Sequence, residues 1–428
     1  MRSLGSFSGA LALFSVVSVS SVFAGGCSSS VSTGSPDAGS DSGPTMGGDS
    51  AGSGDSGGTL AFQPSNITID SVTALAAMAQ PEDIESNCTI QTIQANLGSC
   101  TMSPIVTTTE PFGAGQTQNV ALIVVQSLKL GSNAVIAVEG DLPLVIVSLG
   151  DVTLNSNSSI QANSATATDE LGPGAAPAQG NSSTKGAGPG GGTAGNTTTN
   201  LGGGGGAFCG LGGPGGGVSA PSGMAYGSAD VRPLQGGSAG GAGTGAPGGS
   251  GSGGGAIQIV AMGTLTVNGT AYITAGGAGA SGCIGFGCSA GGSGGSILLE
   301  ATNVTIAGIL AANGGGGGSN AAGGSDALPL SGGTAPTAAP GGAAAAGSAA
   351  PGGNGSAGPT IAGAAGGAGT LSSSNPLGSV PGGGGGGAGW IRINSASGAA
   401  TLTGGTLSPD ATTSCTSQGK VRTISAGP

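Results

Sequence analysis

Glycine occupies 99 of the 428 positions, much of it in unbroken runs such as Gly202–Gly206, Gly314–Gly318 and Gly382–Gly387. A segment of this kind has no side chains to bury. Together with 23 prolines and no strict G-X-Y period, it normally marks low complexity or disorder. Collagen is excluded because glycine never settles at every third position. The fold must therefore be specified by what lies between the glycine runs.

Five related segments lie there: Leu122–Leu130, Leu144–Leu154, Ile257–Val267, Ile297–Ile306 and Trp390–Asn394. In the third and fourth, Ile257, Ile259 and Ala261 align with Ile297, Leu299 and Ala301, and Leu265 and Val267 align with Val304 and Ile306. Apolar residues recur at period two with β-branched enrichment, which is the pattern of strands. Each of these two units continues into a further short segment, Tyr272–Ala275 or Ile309–Ala312, and then into glycine. Three short strands in about 22 residues, repeated, predict an all-β fold: a short parallel β-helix, or β-solenoid, of about five rungs.

On this reading residues 60–118 form an N-terminal cap, with one short helix near Ser71–Gln80, and residues 119–428 form the solenoid. The Gly-rich stretches near 164–254, 276–294 and 314–388 fall between the last strand of one rung and the first strand of the next. They are expected as insertions at one corner, leaving along one edge as coil. The alternative is side-by-side packing of extended, polyproline-II-like segments, which glycine alone permits.

The chain contains no His, which removes imidazole bases and His-containing zinc sites. Seven Lys and Arg against 18 Asp and Glu give a net charge of −11, which argues against a nucleic-acid partner. Gly291–Gly295 spells G-x-S-x-G, but without a base Ser293 reads as a turn residue. The calcium-repeat fragments Gly47-Gly48-Asp49 and Gly323–Asp326 are isolated, leaving Glu139, Asp141 and Asp151 for occasional weak binding at most.

Lys129, Lys185, Arg232, Arg392, Lys420 and Arg422 are scattered along the chain, and Asp83 and Glu85 fall in the cap beside Cys88. Arg392, between Ile391 and Ile393, is expected to face solvent. No catalytic residue, metal or cofactor is expected. Trp390 reads as a packing residue closing the end of the solenoid, with a sugar-stacking platform as the sharper alternative. Tyr226 reads as a loop anchor or a contact residue.

Residues 1–26 read as a signal peptide, with Arg2 in its n-region and an apolar stretch from about Ala10 to Ala24. The following Ser-, Gly- and Asp-rich stretch 27–59 reads as a disordered tether. Besides Cys27 there are six cysteines, and an even number in an exported chain suggests disulfides. Proximity pairs Cys88 with Cys100 and Cys283 with Cys288; elimination leaves Cys209 with Cys415. With no CxxC pair, a thiolate metal site is not expected.

The junction Ala24-Gly25-Gly26-Cys27 resembles a bacterial lipobox, with Ala24 where Leu is usual. That resemblance implies acylation of Cys27, and Ser28 after it implies sorting to the outer membrane. With its tether, cysteine-bearing cap, β-segments and glycine runs, the chain resembles the uncharacterised Gly-rich, lipobox-bearing surface lipoproteins common in myxobacteria. The likeness to PGRS-type glycine-rich proteins is compositional only. The family resemblance implies a surface location and carries no reaction.

The expected function is that of a non-enzymatic, lipid-anchored outer-membrane protein. It would display Gly-rich loops for adhesion, matrix contact or envelope structure. Its partners would be the membrane, through the N-terminal lipid, and envelope polysaccharide or matrix. The alternatives are a β-helix enzyme acting on polysaccharide, and a carbohydrate- or ice-binding module hinted at by Thr107–Thr109 and Thr197–Thr199. Those Thr patches do not recur at one rung position.

Overall fold

The computed structural model describes residues 60–424 apart from 114, 166–169, 181–182, 197–200, 218–220, 244–248, 284–286, 321, 328–336, 345–349 and 369–379. The expected signal peptide, the tether, Cys27 and Thr197–Thr199 lie outside the described residues. In chain order the elements begin with helix α1 (Ile69–Ala76) and strands β1 (Pro81–Ile84), β2 (Cys88–Gln91), β3 (Ile105–Gly113), β4 (Gln116–Val125), β5 (Ser127–Leu130) and β6 (Val135–Glu139). Next come β7 (Leu144–Ser148), β8 (Val152–Leu154), β9 (Ser159–Gln161), β10 (Ala256–Val267), β11 (Tyr272–Thr274), β12 (Ser296–Ile306) and β13 (Ile309–Ala311). The last are β14 (Trp390–Ser395), β15 (Thr401–Leu402), β16 (Thr406–Ser408) and β17 (Thr416–Lys420).

The strands form two sheets. An 11-stranded sheet runs β1-β5-β8-β10-β12-β14-β17, with β3, β4, β7 and β15 pairing beside that path. A 6-stranded sheet runs β16-β13-β11-β9-β6-β2. All pairings are parallel except β3 with β4, which are antiparallel.

Side chains facing between the sheets stack strand upon strand. Ile123, Ile146, Ile259, Leu299 and Ile393 are successive partners in the large sheet. Ile136, Ile160, Ile273, Leu310 and Leu407 are successive partners in the small one. All ten belong to one buried apolar cluster. Burying each such side chain is worth about 1.5–3 kcal/mol. The register of β10 on β12, with Ile257 opposite Ile297 and Leu265 opposite Val304, is the alignment of the two sequence segments.

The outer face of the large sheet is covered as well. Leu122, Val124, Val145, Val147, Val260 and Leu298 pack against Phe62, Ile67, Val72, Val231 and Leu234. Burial on both faces explains why β7 is apolar at four successive positions rather than alternating. Helix α1 supplies Val72 to this cover. It starts with Thr68, whose side chain accepts a hydrogen bond from the Ser71 backbone N–H.

The expected β-solenoid of about five rungs is corrected here: the chain does not close into one. It forms two parallel sheets, and among the described residues no third wall of strands joins the end of β11 to the start of β12, or the end of β13 to the start of β14. Nor are the Gly-rich stretches passive insertions at a corner. Their described parts form a hydrogen-bonded layer of extended backbone continuous with the sheets.

The segment Gly383–Ala388 shows how this layer is built. Successive N–H groups donate in three directions: Gly383 and Gly386 to the carbonyls of Gly318 and Gly315, Gly384 and Gly387 to Gly203 and Gly206, and Gly385 and Ala388 to Ala364 and Ile361. Its carbonyls accept from three other segments: from Gly353 and Ser356, from Gly291 and Gly294, and from Gly213 and Gly210. A direction that recurs every third residue, with no bond inside the segment, is the signature of a polyproline-II-type threefold helix. Six such neighbours surround the segment.

This spacing leaves no room for side chains. A Cβ on Gly386 would overlap the carbonyl oxygen of Gly292, and one on Gly205 the carbonyl oxygen of Gly385. The layer also continues the sheet ladders: Ser296 N–H donates to the Gly255 carbonyl at 2.9 Å and Trp390 N–H to the Gly295 carbonyl at 3.0 Å. The packed alternative wins over coil because every buried N–H of the segment finds an acceptor.

Two outcomes follow for stability. Gly386→Ala should lose about 3 kcal/mol or more in urea denaturation, whereas Gly269→Ala, where a Cβ meets nothing, should change stability by less than about 0.5 kcal/mol. Deleting residues 320–380 should lower the melting temperature, because it removes two of the six segments that surround Gly383–Ala388, those carrying Gly353 and Ser356 and carrying Ile361 and Ala364. Equal effects of the two alanines and an unchanged melt would mean that the glycine runs are coil.

Candidate functional site

A buried polar constellation on the β-core sits on the outer face of the large sheet. Glu300 on β12 stands opposite Val260 on β10 and Asn394 on β14. It is fully buried. Its carboxylate accepts four hydrogen bonds: from Ser65 N at 2.9 Å, Ser65 Oγ at 2.6 Å, Gln258 Nε2 at 2.6 Å and Asn394 Nδ2 at 2.9 Å. Burying a charge is costly unless such bonds replace its hydration. Ser65 supplies two of them, so the carboxylate fastens the N-terminal segment to the sheet.

The network extends sideways. Asn394 Oδ1 accepts from Arg392 Nε at 2.7 Å, and the Arg392 guanidinium lies 3.7 Å from the Asp230 carboxylate. Arg392 was expected to face solvent, but its side chain is only 16% exposed, because residues 229–232 pass over the last strands. On the neighbouring turn, Val231 is buried and its carbonyl accepts from Asn66 Nδ2 at 3.1 Å. Arg232 follows, and with Arg422 it lines a cavity of about 230 Å³. Burial pushes the Arg232 guanidinium below the usual arginine range, Arg422 pushes it the same way, and Glu300 opposes them.

A wider cleft of about 500 Å³ opens where the β-core meets the glycine layer, with Asn119, Asp141, Pro177, Tyr226 and Gln235 in its lining. Among the described residues Asp141 is the only carboxylate in that lining. The Tyr226 hydroxyl donates to the Gly236 carbonyl at 2.8 Å and accepts from Ser238 Oγ at 2.9 Å, and burial raises its pKa. Tyr226 also packs on Phe208 with ring centroids 4.5 Å apart, and its carbonyl accepts from Trp390 Nε1 at 3.1 Å. Tyr226 and Trp390 thus join the glycine layer to the first residue of β14.

The other residues singled out in the sequence are dispersed. Cys88 and Cys100, Cys209 and Cys415, and Cys283 and Cys288 lie at disulfide distance, with Cα separations of 4.8, 5.6 and 5.1 Å. The second pair ties the glycine layer to the residue preceding β17. Ser293 is not in a turn; it is buried within the layer, and its Oγ accepts from Ser238 N at 2.9 Å.

Of the acids weighed for calcium, Asp141 lines the cleft described above, and three others are engaged elsewhere. Asp151 accepts from Thr264 N at 2.7 Å, Glu139 from Gln91 Nε2 at 2.7 Å and Asp326 from Gly279 N at 2.7 Å. Asp83 and Glu85 flank Lys129 at 2.8 and 3.5 Å, and the lysine holds the Asp83 carboxyl below its ordinary value. Among the described residues no group of three or more His, Cys, Asp or Glu could hold a metal ion, and no helix is long and apolar enough to cross a membrane.

Comparison with protein-family models, with curated proteins and with solved structures finds no match.

Removing the buried carboxylate strands four donors. Glu300→Ala should therefore lower the free energy of unfolding by about 3 kcal/mol and speed proteolysis before residue 80. A loss below about 0.5 kcal/mol in chemical denaturation would show that the network does not fasten the N-terminal segment.

Proposed function

We propose that this chain is a non-enzymatic, lipid-anchored cell-surface protein whose glycine layer is a rigid contact surface for adhesion, matrix or envelope structure. The observation that carries this reading is the layer around Gly383–Ala388: its backbone groups are engaged with one another, so it is a stiff, nearly uncharged slab held on a β-core. A slab of this kind is suited to contact over a broad area rather than to enclosing a small substrate. Acylation of Cys27, with the 27–59 tether, would hold it at the outer membrane. Its partners on this reading are the lipid surface and envelope polysaccharide or matrix.

Detergent-phase partitioning of the exported protein tests the anchor. The wild type should enter the detergent phase and Cys27→Ala should stay aqueous; an aqueous wild type contradicts the anchor. Incubated with envelope polysaccharide, the purified protein should be retained without generating new reducing ends. Release of reducing ends would replace this reading with an enzymatic one.

A further inference from the structure

Cations are scarce in this chain, yet three of its four arginines, Arg232, Arg392 and Arg422, gather on the outer face of the large sheet. Arg392 is accounted for by Asp230 and Asn394. The other two are not. The ion pairs among the described residues are Lys129 with Asp83 and Glu85, and Arg392 with Asp230, so neither Arg232 nor Arg422 has an acidic partner. Among the described residues no carboxylate lines the cavity they share.

The neutral donors around that cavity are already engaged. Ser65 gives both its N–H and its hydroxyl to Glu300. Thr68 N–H donates to Glu110 Oε2 at 2.8 Å, and Gln63 Nε2 donates to the Ile67 carbonyl at 2.6 Å. The guanidinium groups are the exception. Arg232 Nε is buried without any hydrogen-bond partner, and Arg232 Nη2 reaches only the Pro111 carbonyl at 3.5 Å, a marginal distance.

An unpartnered buried N–H and two like charges beside one cavity are each unfavourable as they stand. A single anionic oxygen cluster between the two forks removes both penalties, since guanidinium groups match the geometry of such anions and bond them with charge-assisted hydrogen bonds. We propose that the cavity between Arg232 and Arg422 binds a small oxyanion group, of the sulfate, phosphate or carboxylate class. The group could be a free inorganic ion or a substituent on an acidic polysaccharide. The site does not depend on the surface-anchoring role.

Calorimetric titration of the full chain tests this with two probes, sodium sulfate and a sulfated chondroitin disaccharide, each against sodium chloride at matched ionic strength. Saturable sulfate binding is expected, weakened at least tenfold by Arg422→Gln and by Arg232→Gln and unchanged by Lys185→Gln. Arg422 is exposed, so its variant keeps the test meaningful if Arg232→Gln fails to fold. Binding of the disaccharide alone, lost in Arg422→Gln, supports the site and identifies the polysaccharide source. No saturable binding of either probe above chloride, or binding indifferent to Arg422→Gln, overturns the proposal.

Discussion

The structure depends on backbone segments approaching more closely than any side chain would allow. Where Gly383–Ala388 passes between six neighbours, N–H groups donate in three directions and carbonyls accept from three others. That arrangement exists only because a Cβ at positions such as Gly205, Gly292 or Gly386 would collide with a carbonyl oxygen. In an ordinary core apolar side chains fill the interior; here hydrogen-bonded backbone fills it. The same requirement places serine in the layer where its hydroxyl can take up a spare backbone N–H. Examples are Ser238, which accepts from Gly190 N at 3.0 Å, and Ser356, which accepts from Gly314 N at 3.0 Å.

Such a layer could not be stable alone. Ordering a residue costs roughly 1–2 kcal/mol of backbone entropy, more for glycine, and each hydrogen bond returns only about 1 kcal/mol net of water. The two sheets make up the difference. Their stacked Ile, Leu and Val bury the apolar surface, and each glycine segment before β10, β12 and β14 continues a ladder already registered by those strands. The Cys209–Cys415 pair and the Tyr226–Trp390 contact reinforce that junction from the side.

The strands were legible in the sequence because period-two Ile and Val need no knowledge of their partners. Ile257 opposite Ile297 and Leu265 opposite Val304 could be aligned by eye. The closed solenoid was not a sound extension of that pattern. Glycine carries no periodicity, so nothing in a run such as Gly382–Gly387 distinguishes coil from a packed threefold helix. The polar network was hidden for another reason. Glu300 and Arg392 sit at positions that should face water, and only the return of Ser65 and Asp230 from distant parts of the chain covers them. Arg232 and Arg422, 190 positions apart by their numbering, meet for the same reason.

Amide hydrogen exchange across the glycine layer tests the central claim most directly. The N–H groups of Gly384–Gly387 are held by carbonyls of three other segments, so they should exchange as slowly as those in the middle of β10 and β12. Exchange at the rate of an unstructured glycine peptide, with β10 and β12 still protected, would contradict it: the sheets would then carry loose chain rather than a layer built of backbone.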